Sequence, residues 1–358
     1  MKQKIYACDF ETTVDYDTSK QDFTEVWSAC FCEVGTEDAI IMHSISQFMN
    51  YWINVNSQNV LLYFHNLKFD GSFIIDWLYN SSKFNEASEG DIEKGSFNFL
   101  SKKQMPSYSY SYLISSMGQW YSITIKAKNH IITIKDSLKL MPFSLAEIGK
   151  AFKTKHKKLE MDYKGERYAG CPITKSEEDY IKNDVYVLAE ALQFMFEQGH
   201  TKMTIGSCCM SEYKELFKLS ELGIINDWNE IFPSMTEIEL DKNVFGSYNA
   251  DAYIRKSYRG GWCYLVKGKE NKIFHKGLTA DVNSLYPSMM HSESGNVYPY
   301  GKPKFWQGNY IPKEAQGDNK YFFLRFRCRF YLKEGYLPFV QIKGNWLYKP
   351  NEMLETSD

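Results

Sequence analysis

Val60-Leu-Leu-Tyr-Phe-His-Asn-Leu-Lys-Phe-Asp-Gly-Ser-Phe-Ile-Ile-Asp-Trp-Leu78 changes its period part-way along. The run from Val60 to His65 has the apolar continuity and length of a buried strand. It stops at His65-Asn66, and Phe73 to Leu78 has helical character. A strand followed at once by a helix is the unit from which α/β sheets are built. Upstream, Ile5-Tyr-Ala-Cys-Asp-Phe-Glu11 reads as a strand ending at Thr12 and Thr13, with Val26 to Val34 as an antiparallel partner. Downstream, the polar stretch Asn80 to Ser111 reads as loop or insertion, and Trp120–Ile125 and Ile131–Ile134 as strands. Thr174-Lys-Ser-Glu177 has the form of a capping box, followed at helical spacing by Tyr180, Ile181, Val185, Leu188, Leu192 and Phe196, with Gly199 as the stop. This alternation predicts an α/β domain over residues 1–199, with a boundary near 200. Shorter mixed segments follow, including a strand-like Tyr321 to Tyr331.

The whole chain has 358 residues, enough for about two domains. Its aromatic content of 16% and apolar content of 44% exclude disordered and collagen-like classes. Lys and Arg number 42 against 44 acids, a net charge of −2, which argues against indiscriminate coating of nucleic acid but leaves local patches open. The eight cysteines lack zinc-site spacing and read as free intracellular thiols. No signal peptide is expected at the N-terminus, and no apolar run approaches the roughly 18 residues of a membrane span.

Asp9 and Glu11 lie two apart on a strand, so both carboxylates project from one face. The pair alone is a weak signal, because Asp91-Ile-Glu93 repeats the spacing. Asp70 adds to it, lying just past a buried strand, where α/β sheets place their ligands. Asp184 follows Tyr180 by one helical turn, on the stripe that carries Leu188 and Leu192, so it points toward the core. A carboxylate there is costly unless paired or bound to metal. Asp9, Glu11, Asp70 and Asp184 together form an oxygen-only donor set suited to Mg²⁺ or Mn²⁺. Two such ions would suit attack of water on a phosphodiester, with Tyr180 orienting the water.

Two basic stretches accompany the acids. Lys150 to Lys158 holds five lysines and no acid, which fits either a solvated helix face or a nucleic-acid contact. Residues 255–276 hold seven Lys or Arg against one Glu, around Tyr258-Arg259-Gly260-Gly261. Paired glycines admit a phosphate close to the backbone, with Arg259 as counter-charge; the same four residues also suit an ordinary hairpin turn.

The motifs Asp9-Phe-Glu-Thr12, Asn66-Leu-Lys-Phe-Asp70-Gly-Ser-Phe73 and Tyr180-Ile-Lys-Asn-Asp184 resemble, in order and rough spacing, the three exonuclease motifs of the family B DNA polymerases. Tyr63-Phe-His-Asn-Leu-Lys-Phe-Asp-Gly71, Met117-Gly-Gln-Trp120-Tyr121 and Asp136-Ser-Leu-Lys139 are similar to the protein-primed branch, the phage and linear-plasmid replicases. The resemblance runs through almost the whole chain. It implies an RNase H-like 3′–5′ exonuclease domain with a mixed sheet (1–200), a linker and N-terminal part of an α+β polymerase palm (201–292), and part of a terminal-protein-region insertion (293–358).

By the same resemblance, Asp9, Glu11, Asp70 and Asp184 are metal-linked acids holding two Mg²⁺ or Mn²⁺ ions, and Tyr180 positions the water. Thr12, His65, Asn66, Phe69, Ser137 and Leu138 hold a single-stranded 3′ end. Lys158 supports catalysis, and Tyr163 contacts the strand. Tyr258 to Gly261 resembles the linker motif that couples DNA between editing and synthesis sites. Asp281-Val-Asn-Ser-Leu-Tyr-Pro287 resembles polymerase motif A, in which Asp281 and the Val282 carbonyl contact metal and Tyr286 packs near the sugar of the incoming nucleotide.

Polymerisation also needs a Tyr-x-Asp-Thr-Asp string and a Lys-bearing fingers helix, and neither string occurs. After Glu334-Gly-Tyr-Leu-Pro338 and Gln341-Ile-Lys343 the resemblance stops inside the insertion. The expected chain is therefore an N-terminal part with nuclease chemistry only, or else a stand-alone exonuclease or a split-polymerase subunit. Its expected partners are single-stranded and primer-template DNA, a terminal protein primer, and a second polypeptide carrying the C-terminal polymerase half. No membrane is involved, and the implied location is the cytoplasm of a host cell.

Overall fold

The computed structural model describes residues 3–13, 24–89, 98–161, 167–218, 228–258, 260–261, 263–266, 268–318, 320–336, 338, 340 and 353–355. They fall into two compact units, Met1–Tyr213 and Lys214–Asp358.

The first unit is built on strands β1 (Lys4–Thr12), β2 (Val26–Glu33), β3 (Ala39–Met42), β4 (Val60–Phe64), β5 (Asn85–Glu86), β6 (Ser88–Glu89), β7 (Asn98–Phe99), β8 (Ser109–Ile114), β9 (Trp120–Lys126) and β10 (Ile131–Asp136). Eight of them form one mixed sheet in the order β3-β2-β1-β4-β10-β9-β8-β5, and β6 pairs with β7 as a separate ribbon. The centre, β1-β4-β10, is parallel, and antiparallel strands flank it on both sides.

Helices α1 (Ile45–Asn50), α2 (Leu67–Asn80), α3 (Leu145–Ala151) and α4 (Lys175–Glu197) cover the sheet. One face packs Phe10, Phe31, Leu62, Phe64 and Ile134 against Phe48, Trp52, Ile74 and Leu78. The other packs Ala7, Cys30 and Tyr63 against Ile181, Val185, Leu188 and Leu192 of α4. With a helix layer on each face the central strands lose contact with water, which is why Val60–Phe64 is apolar throughout rather than alternating.

The capping box is present. Thr174 Oγ1 accepts the Glu177 N–H at 3.3 Å, and Glu177 Oε2 accepts the Thr174 N–H at 2.8 Å. This cap fixes the first turn of the helix that carries Tyr180 and Asp184. Thr174→Ala is expected to cost about 1 kcal/mol of stability, measured by urea unfolding; an unchanged midpoint would mean that the cap is dispensable.

Three expectations need correction. The stretch from Asn80 to Ser111 is not all loop or insertion: it contains β5, β6, β7 and the start of β8, of which the first three are two-residue pieces too short and polar for periodicity to reveal. Helix α2 begins at Leu67, ahead of Phe73, because Asn66 takes a left-handed conformation (φ 70°) that turns the chain straight from β4 into the helix. Gly71 lies within the helix: a Cβ there would lie 3.0 Å from the Trp120 ring, so close packing accounts for the glycine. Lastly, of Tyr321–Tyr331 only Arg329–Tyr331 is strand, paired antiparallel with Met353–Glu355.

The second unit holds short helices at Trp228–Ile231, Lys242–Phe245, Ala250–Arg255 and Leu285–Met290. Among the described residues no helix is long and apolar enough to cross a membrane.

Candidate metal and nucleic-acid site

Period-2 geometry puts Asp9 and Glu11 on the face of β1 that α4 covers, and Asp184 comes down from α4 onto them. Carboxylate oxygens of Asp9, Glu11 and Asp184 lie within 4.8 Å of one another. Among the described residues no other His, Cys, Asp or Glu group of this kind occurs. Asp70 occupies the first turn of α2 and is buried, as are Glu11 and Asp184. The partial positive charge of a helix N-terminus favours a carboxylate at Asp70.

Acids this close and this dry resist ionisation. Burial and then the Asp184 charge push Asp9 up to about 7. Burial, then Asp9 and Asp184, push Glu11 up to about 9. Asp70 is held well above the usual range by burial and then by Asp9, and the Phe10 N–H opposes this rise. Asp184 is raised by burial, against the pull of Lys158.

Lys158 forms an ion pair with Asp184 Oδ2. Its Nζ also lies 3.1 Å from Tyr180 Oη and 4.9 Å from that ring's centre. The other Asp184 oxygen, Oδ1, is buried with no hydrogen-bond partner among the described residues. Such a carboxylate oxygen inside a cluster of three acids and one lysine, with the buried Asp70 on the neighbouring helix α2, fits divalent cations: hard oxygen donors in excess of the local positive charge.

The residues expected to hold a strand gather where β4 and β10 end side by side. His65 Nδ1 lies 3.0 Å from Ser137 Oγ, and Nε2 is 2.8 Å from the Phe143 carbonyl. Asn66 and Leu138 flank this contact, and Phe69 is 48% exposed with its ring 5.5 Å from that of Phe73. Thr12 is buried at the end of β1. Tyr163 and Arg259 lie outside the described residues. In the second unit Tyr258, Gly260, Gly261, Asp281, Val282 and Tyr286 are all exposed, with Tyr286 on the helix Leu285–Met290. Neither Gly260 nor Gly261 has an atom within 4 Å of where a Cβ would stand, so packing does not require glycine at either position.

Sequence reasoning missed two supports. The first is the clamp on the loop that carries Lys158 beyond α3: the oxygens of Glu190 on α4 meet the Lys155 N–H and His156 Nδ1 at 2.5 Å each. Lys155 is tied in turn to Glu37. The second is Asp136, which ends β10 with a carboxylate that accepts backbone N–H groups from two segments. The available signal was an Asp at a strand end followed by Ser, a pattern that favours a local turn.

The profile of the family described as "DNA polymerase type B, organellar and viral" matches residues 52–170 and 160–358. The chain belongs to this family of type B DNA polymerases. The DNA polymerase of Bacillus phage phi29 is 38% identical over 363 residues, covering 100% of this chain and 55% of the phage protein. That of Streptococcus phage Cp-1 is 30% identical, covering 94% and 53%. Within the family, therefore, the chain stands with the protein-primed phage enzymes and spans about half the length of these relatives. The structure of phi29 DNA polymerase complexed with primer-template DNA and incoming nucleotide matches at TM-score 0.73 and 33% identity, over 99% of this chain and 57% of that one. The same polymerase complexed with single-stranded DNA matches at TM-score 0.70 and 32% identity, over 99% and 56%.

Proposed function

We propose that residues 1–200 form an RNase H-like domain that removes nucleotides from single-stranded 3′ ends of DNA. Residues 201–292 would be a linker with the first part of a polymerase palm, and 293–358 part of a terminal-protein-region insertion. The observation that carries the nuclease reading is the cluster of Asp9, Glu11 and Asp184 with a buried carboxylate oxygen that has no hydrogen-bond partner among the described residues. Asp9, Glu11, Asp70 and Asp184 would hold Mg²⁺ or Mn²⁺, which when bound supplies an acidified water and neutralises charge on the leaving oxygen.

The chain's own residues do the rest. Lys158 donates to Asp184 and lies on Tyr180 Oη, fixing the phenol beside the acids, where it orients the attacking water. His65, Asn66 and Phe69 present an edge and an exposed ring for the terminal nucleotides, in the manner of single-strand sites that stack bases on aromatic side chains. The relatives' complexes with primer-template and single-stranded DNA support DNA as the substrate class. A terminal protein is the proposed partner of the last segment.

Asp281, Val282 and Tyr286 would belong to a synthesis site that needs a second carboxylate string, absent from this sequence. The test uses the 358-residue chain with a 5′-labelled oligonucleotide and MgCl₂. Stepwise shortening is expected, arrested by chelator, with no extension of a primed template when nucleotides are added. A stable oligonucleotide would refute the nuclease reading, and templated extension would refute the incomplete-palm reading.

A further inference from the structure

β4 and β10 run parallel, with Asp136 in register with Phe64, so these two central strands end side by side at one end of the sheet. There Asp136 is buried, 3% exposed, and one of its oxygens does three tasks. Oδ1 accepts the N–H of Asn66 at 3.1 Å, of Leu67 at 3.3 Å and of Leu138 at 3.0 Å. Lys139 Nζ approaches Oδ2 at 3.8 Å. The Asn66 and Leu67 donors are the opening N–H groups of α2; a capping side chain at Asn66 would reach the N–H groups of Lys68 or Phe69 and leave these two to a partner outside the helix. Asn66 is of a type favoured at the N-cap, yet its side chain makes no cap bond. Asp136, from a different strand, is that outside partner.

This arrangement has two consequences. The Asn66 amide is released from its own helix while its backbone, at φ 70°, is pinned in a conformation that non-glycine residues adopt only when their surroundings enforce it. The same oxygen also fixes Leu138. Ser137 between them donates to the Phe64 carbonyl at 2.9 Å and meets His65 Nδ1 at 3.0 Å. Both halves of the strand-holding face are thus stitched through one carboxylate.

We propose that Asp136 is a positioning residue for the single-stranded DNA 3′ end: it makes His65–Asn66 and Ser137–Leu138 one preformed surface instead of two independently moving turns. The inference rests on the nuclease reading for its substrate, but strand binding can be measured without any cleavage. Preorganisation lowers the ordering cost of binding, so its loss should appear in affinity rather than in the chemical step.

The experiment compares wild type with Asp136→Ala, Asp136→Asn and Asp136→Glu. Binding of a fluorescein-labelled oligothymidylate is followed by anisotropy in EDTA, and digestion of the same strand is followed with MgCl₂. Asp136→Ala is expected to weaken binding and raise KM by about tenfold or more, while kcat at saturating DNA changes by less than about threefold. Asp136→Asn, whose amide oxygen can accept the same three N–H groups, should stay within about threefold of wild type. Asp136→Glu, which displaces the acceptor by one methylene, should bind weakly although its charge is kept.

Asp136→Ala or Asp136→Glu binding like wild type would overturn the proposal, as would loss in kcat with unchanged KM, or equal loss in Asp136→Asn and Asp136→Ala. Should the alanine variant fail to fold, the Asn and Glu pair decides. A wild type that binds the strand without cutting it refutes the nuclease reading and leaves the binding comparison to judge Asp136.

Discussion

Asp9→Ala combined with Glu11→Ala is expected to abolish digestion of single-stranded DNA, a loss of at least about a thousandfold, while DNA is still retained. Removal of a single group that stabilises charge in a transition state commonly costs about 10²–10³ in rate. Here two of the three clustered carboxylates go at once, so the remaining Asp184 and Asp70 cannot hold a cation against its hydration shell. Of the residues proposed to hold the strand, Thr12 alone shares β1 with the two substitutions; His65, Asn66 and Phe69 lie past β4 and on α2, and Ser137 and Leu138 just past β10. The fold should survive as well, because the lost groups repel each other in the metal-free state. Single-turnover digestion in MgCl₂ beside an anisotropy titration in EDTA makes the check. Digestion at the wild-type rate would remove the cluster from the mechanism, and loss of binding in step with activity would indicate unfolding.

Stability should depend on pH and divalent cation together, in a direction opposite to that of a salt-bridged acid. The unfolded chain releases its carboxyl protons near pH 4, whereas Asp9 holds its proton up to about 7 and Glu11 up to about 9. Between these limits the folded state binds more protons than the unfolded one, so stability of the metal-free protein falls as pH rises from about 4 to about 9.

Mg²⁺ requires the ionised acids, so the stabilisation it provides should be small near pH 5 and grow toward about pH 9. Glu11→Gln removes one titrating group and should raise the melting temperature in EDTA most at the alkaline end. The difference between wild type and this variant isolates the site from other groups that titrate in the same range. A pH-independent difference, or an equal response to Mg²⁺ at both ends of the range, would contradict the assignment.

What the sequence revealed follows from how local each signal is. Asp9 and Glu11 share a face because a strand has period two, and Asp184 shares one with Tyr180 because the capping box fixes the phase of α4. These readings need only neighbours in the chain. The stretch ending at Lys158 was ambiguous between a solvated helix face and a contact, because its meeting with Asp184 depends on a loop that Glu190 holds from another element. Asp136 was hidden for the same reason: its role exists only once β10 lies beside β4, a pairing that no local pattern encodes. The polar stretch after α2 concealed its strands because two-residue ladders carry no period at all.

Where the cluster's members sit along the chain also governs when it can exist. β1 emerges from the ribosome first, and Asp184 on α4 among the last residues of the unit. At about 5–20 residues per second the interval is on the order of ten to forty seconds. During it Ala7, Cys30 and Tyr63, all buried in the finished unit, have no α4 to cover them. A nascent chain halted before α4 therefore has no assembled acidic cluster, and it exposes a sticky sheet face that invites capture by chaperones. Completion of one late helix both silences that hazard and brings the acids together.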